Sequence, residues 1–232
     1  PDGDELVLEH FNLKVPRGTN VAIVGETGAG KSTLVNLVCR FYEPTSGQLL
    51  IDGRDVKTIP PEALRRKFGV VFQNDFVTEG TVADNIRFFR DLPEDDLHRA
   101  ARDAQASFIE EKGGMDAEVV VRGNNLSGGQ KQRLLIARAL AANPEILVLD
   151  DASSALDYQT DADLRRALRQ GYRDTTTVLI AQRVSSLRHA DLILVLQDGD
   201  VIGAGTHEEL LHTCEEYRTI AHTQMGSGKE AV

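Results

Sequence analysis

The plainest chemistry in this sequence lies in Gly25-Glu26-Thr27-Gly28-Ala29-Gly30-Lys31-Ser32. The spacing is G-x-x-x-x-G-K-[ST], in which glycines let successive backbone N–H groups curl toward one centre that a side chain would obstruct. Such a loop cradles phosphate oxygens, and a helix beginning near Lys31 adds the positive end of its dipole. Lys31 is then placed for β- and γ-phosphate oxygens, the Ser32 hydroxyl for Mg²⁺, and Thr33 for an α-phosphate. About a hundred residues on, Leu126-Ser127-Gly128-Gly129-Gln130 contains S-x-x-Q, a capping box at the head of a helix running to Ala142. Gly128 and Gly129 leave the first-turn N–H groups uncovered, which makes a second candidate anion site. Alone, this motif says only that a helix is well capped. A third group, Asp150-Asp151, closes the apolar run Ile146 to Leu149, where the Asp150 carboxylate can bind Mg²⁺ directly or through water.

Strands and helices must hold these groups. Asn20 to Val24, Ile146 to Leu149 and Thr177 to Ala181 are apolar nearly throughout, as strands buried on both faces of a parallel sheet are. Helical patterns occupy Ser32 to Phe41, with Leu34, Leu37, Val38 and Phe41 on one face, and Gln130 to Ala142, ended by Asn143-Pro144. Gln48 to Ile51 before Asp52-Gly53, and Leu192 to Leu196 before Asp198-Gly199, predict strands leading into tight turns. Between Phe76 and Asn125 the pattern turns helical and charged, clearest over Glu94 to Arg102. This predicts an α/β class: a mostly parallel sheet with antiparallel edge strands and an inserted helical subdomain. The core is expected over about 1–75 and 144–222, the helical lobe over about 76–143, and a disordered tail over 226–232.

Composition narrows the partners. The 232 residues are 41% hydrophobic and 27% charged, with 26 Lys and Arg against 36 Asp and Glu, a net charge of −10. That balance argues against a nucleic-acid surface, which needs clustered positive charge, but not against a nucleotide held by one Lys and a ring of N–H groups. No apolar run approaches the ~20 residues of a membrane span. The two cysteines, Cys39 and Cys214, lack ligand spacing and fit a reducing compartment. The six histidines lack it too, so solvated or capping roles suit them better than chemistry. Arg65-Arg66-Lys67 reads as a solvated helix face, and Glu94-Asp95-Asp96 as a helix start after Pro93.

Taken in order, the phosphate loop, Leu126 to Gln130 and Ile146 to Asp151 resemble the nucleotide-binding domain of ATP-binding cassette (ABC) proteins, over nearly the whole chain. The resemblance implies a P-loop NTPase core plus helical lobe that binds ATP and Mg²⁺. It makes Gln73 the Q-loop residue, a ligand of Mg²⁺ and water at the hinge between lobes. Ser154-Ala155-Leu156-Asp157 becomes the D-loop. It implies pairing head to tail with a second cassette, so that Ser127, Gly128, Gly129 and Gln130 complete the partner's site in trans. Gly80-Thr81-Val82-Ala83-Asp84-Asn85-Ile86 and Gly205-Thr206-His207-Glu208-Glu209-Leu210-Leu211 resemble exporter cassettes, which sit at the cytoplasmic face of a membrane beneath transmembrane domains absent from this chain. Glu118 to Gly123 takes the place of the exporter X-loop, with Val120 and Val121 in place of its second Gly and second Glu. Since the chain opens on Pro1, it is expected to be part of a longer protein, with the family's adenine-stacking aromatic upstream.

Two residues depart from the family pattern. Active members follow the Mg²⁺ carboxylate with Glu, which polarises the attacking water; here stands Asp151, shorter by one C–C bond, roughly 1.5 Å. Where they carry a His that contacts the γ-phosphate, this chain has Gln182, a neutral amide that donates a hydrogen bond without charge. With the binding motifs intact, the expectation is a site that binds ATP and hydrolyses it slowly, paired with a cassette bearing an intact Glu and His. Lys31, Gln73, Asp151 and Gln182 are the candidate catalytic residues. Gly25 to Thr33 with Gln73 are the candidate nucleotide contacts, and Ser32, Gln73 and Asp150 the candidate Mg²⁺ ligands. The alternatives are a cassette that clamps ATP without turnover and a soluble ABC ATPase of DNA repair or translation. Against the latter, only about fifty residues separate Gln73 from Ser127, too few for a long coiled coil.

Overall fold

A computed structural model of the chain describes residues 7–9, 11–181 and 183–226. In chain order the elements are β1 (Asn20–Gly25), α1 (Lys31–Val38), β2 (Leu50–Ile51), β3 (Arg54–Asp55), α2 (Pro61–Arg66), β4 (Phe68–Val71), β5 (Gly80–Thr81) and α3 (Val82–Arg87). Then come α4 (Glu94–Asp103), α5 (Phe108–Glu111), β6 (Glu118–Val119), α6 (Gly128–Leu140), β7 (Ile146–Asp150), α7 (Tyr158–Gly171) and β8 (Thr176–Ile180). The last are α8 (Val184–Leu187), β9 (Leu192–Gln197), β10 (Asp200–Gly205), α9 (His207–Thr213) and α10 (Glu215–Gly226). They fall into two compact units, residues 1–64 with 177–232, and residues 65–176. The class is mixed α/β with mostly parallel pairing.

In the first unit β1 is central, its Val21 to Val24 at most 4% exposed. It pairs in parallel with β8, Ala22 opposite Leu179, and with β9, Ile23 opposite Leu194. A strand with neighbours on both sides and both faces covered must be apolar throughout, which is why the sequence shows no alternation there. β9 turns into β10 at Asp198-Gly199, both in the left-handed region (φ 48 and 88), the two-residue turn whose twist matches an antiparallel hairpin. Below lies a core that includes Leu187, Ile193, Val195, Leu210 and Tyr217. His207 is buried here rather than solvated, its Nδ1 2.7 Å from the Tyr217 hydroxyl, so the two polar atoms satisfy one another.

In the second unit β4 and β7 run parallel, Val71 opposite Leu149. α6 packs on β4, and α3 and α4 pack on α6. Leu134 to Leu140 are all buried, so the apolar run of this helix is explained by neighbours around it. At the far end of α7 the Tyr172 hydroxyl accepts from Arg99 Nη1 at 2.7 Å and donates to Asp103 at 3.0 Å, tying α7 to α4. Glu94-Asp95-Asp96 do begin α4, after Pro93.

Three expectations need correction. The helix after the phosphate loop stops at Val38, because Arg40 turns left-handed (φ 56) and its guanidinium bonds the carbonyls of Val56 (2.6 Å) and Ile59 (3.0 Å). Phe41 is therefore 59% exposed and not part of a buried face. The strand expected over Gln48 to Ile51 shrinks to Leu50–Ile51, paired with Arg54–Asp55. Gly226 closes α10, and residues 227–232 of the expected tail lie outside the described residues.

Among the described residues no helix is long and apolar enough to cross a membrane. One close approach fixes the second unit: a Cβ at Gly69 would collide with the Ala139 carbonyl of α6 and come within 2.9 Å of Pro144 Cγ. Gly69→Ala should lower the unfolding free energy by about 1–3 kcal/mol, the range for forced overpacking. Urea denaturation should show it as a lower midpoint at unchanged slope. A change below about 0.5 kcal/mol would mean that β4 and α6 separate without cost.

Candidate functional site

The first unit presents the phosphate loop. β1 delivers Gly25 against β9 so closely that a Cβ would strike the Leu196 carbonyl. Gly28 and Gly30 then take φ of 90 and 98, a conformation in which L side chains are strained. Glu26, Thr27 and Gly28 are exposed while Ala29 is buried. α1 begins at Lys31, capped by Gly30 with no side-chain hydrogen bond, so its leading N–H groups face the loop. Lys31 Nζ donates to the carbonyls of Gly25 (2.8 Å) and Glu26 (2.6 Å), which holds the ammonium across the loop mouth. Ser32 is exposed on the first turn and Thr33 is half-buried beside it.

The second unit carries the carboxylates and the capped helix. Asp150 ends β7 at 8% exposure, and Asp151 follows in the left-handed region at φ 52. Asp tolerates that conformation better than most residues. The Ser154 N–H and hydroxyl both donate to the Asp151 carbonyl, at 3.2 and 2.9 Å, which fixes the bend. Because Val71 pairs with Leu149, Gln73 and Asp151 each stand two residues past the last paired rung, at the same edge of the strand pair. Gln73 is exposed in a turn closed by the Asp75 N–H to the Phe72 carbonyl at 3.2 Å. The capping box forms as its sequence predicts: the Ser127 hydroxyl accepts from the Gln130 N–H at 3.2 Å, and Gln130 Oε1 accepts from the Ser127 N–H at 3.0 Å. Gly129 lies so near Ala155 of the D-loop segment that a Cβ would stand 3.1 Å from its carbonyl oxygen. Gln182 lies outside the described residues.

Charge separates two of the longer helices from the others. Among the described helices of eight residues or more, α4, α7 and α10 carry an acidic residue in the first turn, while α1 and α6 carry none. The capping boxes make the same point. Those of α3 and α9 close with Asp84 and Glu209, whose carboxyls lie below their usual range because they accept from the backbone N–H groups of Thr81 and Thr206. That of α6 closes with neutral Gln130. A carboxylate there would cancel part of the roughly half charge at the helix end. α1 and α6 thus begin without a first-turn carboxylate to offset the positive end of the helix.

Among the described residues no group of three or more His, Cys, Asp or Glu gathers into a metal site.

Sequence reading passed over the buried pair Asn85 and Arg138. The visible signal was a single Arg inside the otherwise apolar stretch Leu134 to Leu140; its partner on α3 is a tertiary fact.

A family model described as ABC transporter matches residues 8–154. An uncharacterized ABC transporter ATP-binding protein of Mycobacterium bovis is 43% identical over 228 residues, 97% of this chain and 39% of that protein. An ATP-dependent lipid A-core flippase of Desulfotalea psychrophila is 41% identical over 225 residues, 96% of this chain and 39% of that protein. Among solved structures, a bacterial Atm1-family ABC exporter with ATP bound matches with a TM-score of 0.91 and 40% identity, over 97% of this chain and 40% of that one. The chain therefore spans about two fifths of the length of these relatives. By the family model and these relatives, the chain belongs to the ABC transporter family.

Proposed function

We propose that this chain is the ATP-binding cassette of an exporter, that it pairs with a second cassette around Mg-ATP, and that its own site turns ATP over slowly. The observation that carries the reading is that α1 and α6, alone among the described helices of eight residues or more, have no acidic residue in the first turn. Gly25 to Thr33 take the phosphates, with Lys31 leaving the carbonyls of Gly25 and Glu26 for phosphate oxygens. Ser32, Gln73 and Asp150 are the proposed Mg²⁺ donors; the ion, when bound, spreads the charge of the β- and γ-phosphates. Ser127, Gly128, Gly129 and Gln130 serve the nucleotide of the partner cassette. Because the Ser127 hydroxyl accepts from the Gln130 N–H, its own hydrogen is free to point outward as a donor.

Hydrolysis here is attack of water on the γ-phosphorus with loss of ADP, driven by positioning and charge stabilisation. Asp151 would accept a hydrogen bond from that water, and Gln182 would donate to the γ-phosphate. The Asp151 carboxylate sits one bond short on a backbone already held at φ 52, so it orients the water poorly. The partner is read as a cassette with Glu and His at these two places, and the assembly as lying at the cytoplasmic face of a membrane under transmembrane domains.

Three outcomes follow. Lys31→Ala should weaken Mg-ATP binding by roughly 10- to 100-fold, the range for loss of charge-assisted hydrogen bonds, in isothermal calorimetry. Equal affinity would remove the loop from the site. Asp151→Glu should raise turnover by roughly 10-fold or more at unchanged ATP affinity, and adding Gln182→His should raise it further. No gain from either would place the defect elsewhere. Gln130→Glu keeps the capping box, so thermal stability should hold, yet ATP-driven association of two chains should weaken by about tenfold as a carboxylate meets phosphate. Association unchanged in sedimentation would mean that α6 faces no nucleotide.

A further inference from the structure

Away from the phosphate loop, the second unit holds a buried polar cluster that links two motifs distant in sequence. At its centre are Asn85 of α3, with no exposed surface, and Arg138 of α6, 7% exposed. Asn85 Nδ2 donates to the carbonyls of Thr78 (2.9 Å) and Thr81 (3.0 Å). Its Oδ1 accepts from the Thr78 N–H (2.9 Å), the Thr78 hydroxyl (3.3 Å) and Arg138 Nη2 (3.1 Å). Arg138 Nε donates to the Asn85 carbonyl at 2.8 Å and Nη1 to the Phe76 carbonyl at 2.9 Å. The same Nη1 stands 3.7 Å from Asp75 Oδ1, and the guanidinium lies 4.1 Å from the centre of the Phe88 ring. Arg90 closes the cluster, donating to the carbonyls of Arg138 (2.6 Å) and Ile86 (2.9 Å).

The pinned residues on one side, Asp75, Phe76, Thr78 and Thr81, all follow closely on Gln73. On the other side, Arg138 sits at the end of α6 opposite Ser127, about 16 Å along a stiff rod at ~1.5 Å per residue. A Met or Leu at 138 would fill the space without a charge to desolvate. What the guanidinium adds is a planar fork that holds several acceptors in one arrangement. A buried Arg cannot release those acceptors singly, since each lost partner leaves a charge unsatisfied in a low-dielectric site.

We infer that Arg138 and Asn85 are positioning residues that lock the segment after Gln73 to α6, so that a shift at Gln73 is carried along the helix to Ser127. The consequence for catalysis rests on the reading of Gln73 and Ser127 as nucleotide-facing residues; the lock itself does not.

The test places a nitroxide on Asn74→Cys in the 232-residue chain, with Cys39 and Cys214 changed to Ala, and a control nitroxide on Glu62→Cys. In Arg138→Lys, which keeps the charge and loses the fork, the spectrum at 74 should show faster motion while that at 62 stays as it was. Mg-ATP affinity should stay within about twofold, and ATP-driven association should weaken by about tenfold, a split that a general loss of stability would not give. Should Arg138→Lys fail to fold, Asp75→Asn removes only the facing charge and should loosen position 74 in the same sense. Unchanged motion at 74 in folded variants would overturn the lock. Loosened motion with undiminished association, or equal loss of affinity and association, would overturn its positioning role. A parent chain that binds no Mg-ATP would sink the proposed function alone, because the spectra contain no nucleotide.

Discussion

A helix N-terminus concentrates unpaired N–H groups and about half a positive charge, which an acidic side chain in the first turn offsets. Among its described helices of eight residues or more, this chain places one there in α4, α7 and α10 and none in α1 and α6. The omission forgoes a contribution of about 0.3–1 kcal/mol at each end. In return, two ends stay attractive to an anion that the chain does not itself supply. Most of what surrounds them serves to hold them in place. β1 is buried on both faces and fixes the loop before α1, and Gly25 lets that loop lie against β9. Gly30 begins α1 in the left-handed region without a side-chain cap.

α6 solves a harder version of the problem, because its N-terminus must be exposed while its remainder is buried. The capping box satisfies the first turn with a neutral amide, and Leu134 to Leu140 disappear among α3, α4 and β4. Gly69 permits the close approach of β4, and Arg138 anchors the far end through carbonyls that belong to the segment after Gln73. One helix thus carries an exposed, neutrally capped end and an end joined to the segment that follows Gln73. At the edge of β7 the backbone bends at Asp151, held by Ser154, and the short side chain there is the local reason for expecting slow turnover.

The sequence was most readable where local pattern and tertiary role coincide. The strands β1, β7 and β8 could be read because full burial leaves no polar positions, and the capping box of α6 because it is made within four residues. Legibility failed where distant partners decide. Helix α1 ends early because Arg40 finds the carbonyls of Val56 and Ile59, which no periodicity records. α7 went unread because its amphipathic face is short of large apolar residues, with Leu164 and Leu168 its buried leucines. His207 reads as solvated until Tyr217 is seen beside it, and Asn85 looks like an ordinary helical amide until its hydrogen bonds are counted.

The uncompensated ends of α1 and α6 are proposed to bind the same kind of ligand, one in each of two paired chains. Amide hydrogen exchange with and without Mg-ATP, at low and high protein concentration, distinguishes the two ends. Exchange should slow over residues 26–33 at both concentrations, and over residues 127–131 only where chains pair. Exchange over 26–33 that ignores Mg-ATP would contradict the phosphate loop, and protection there that never reaches 127–131 at any concentration would contradict the role of α6.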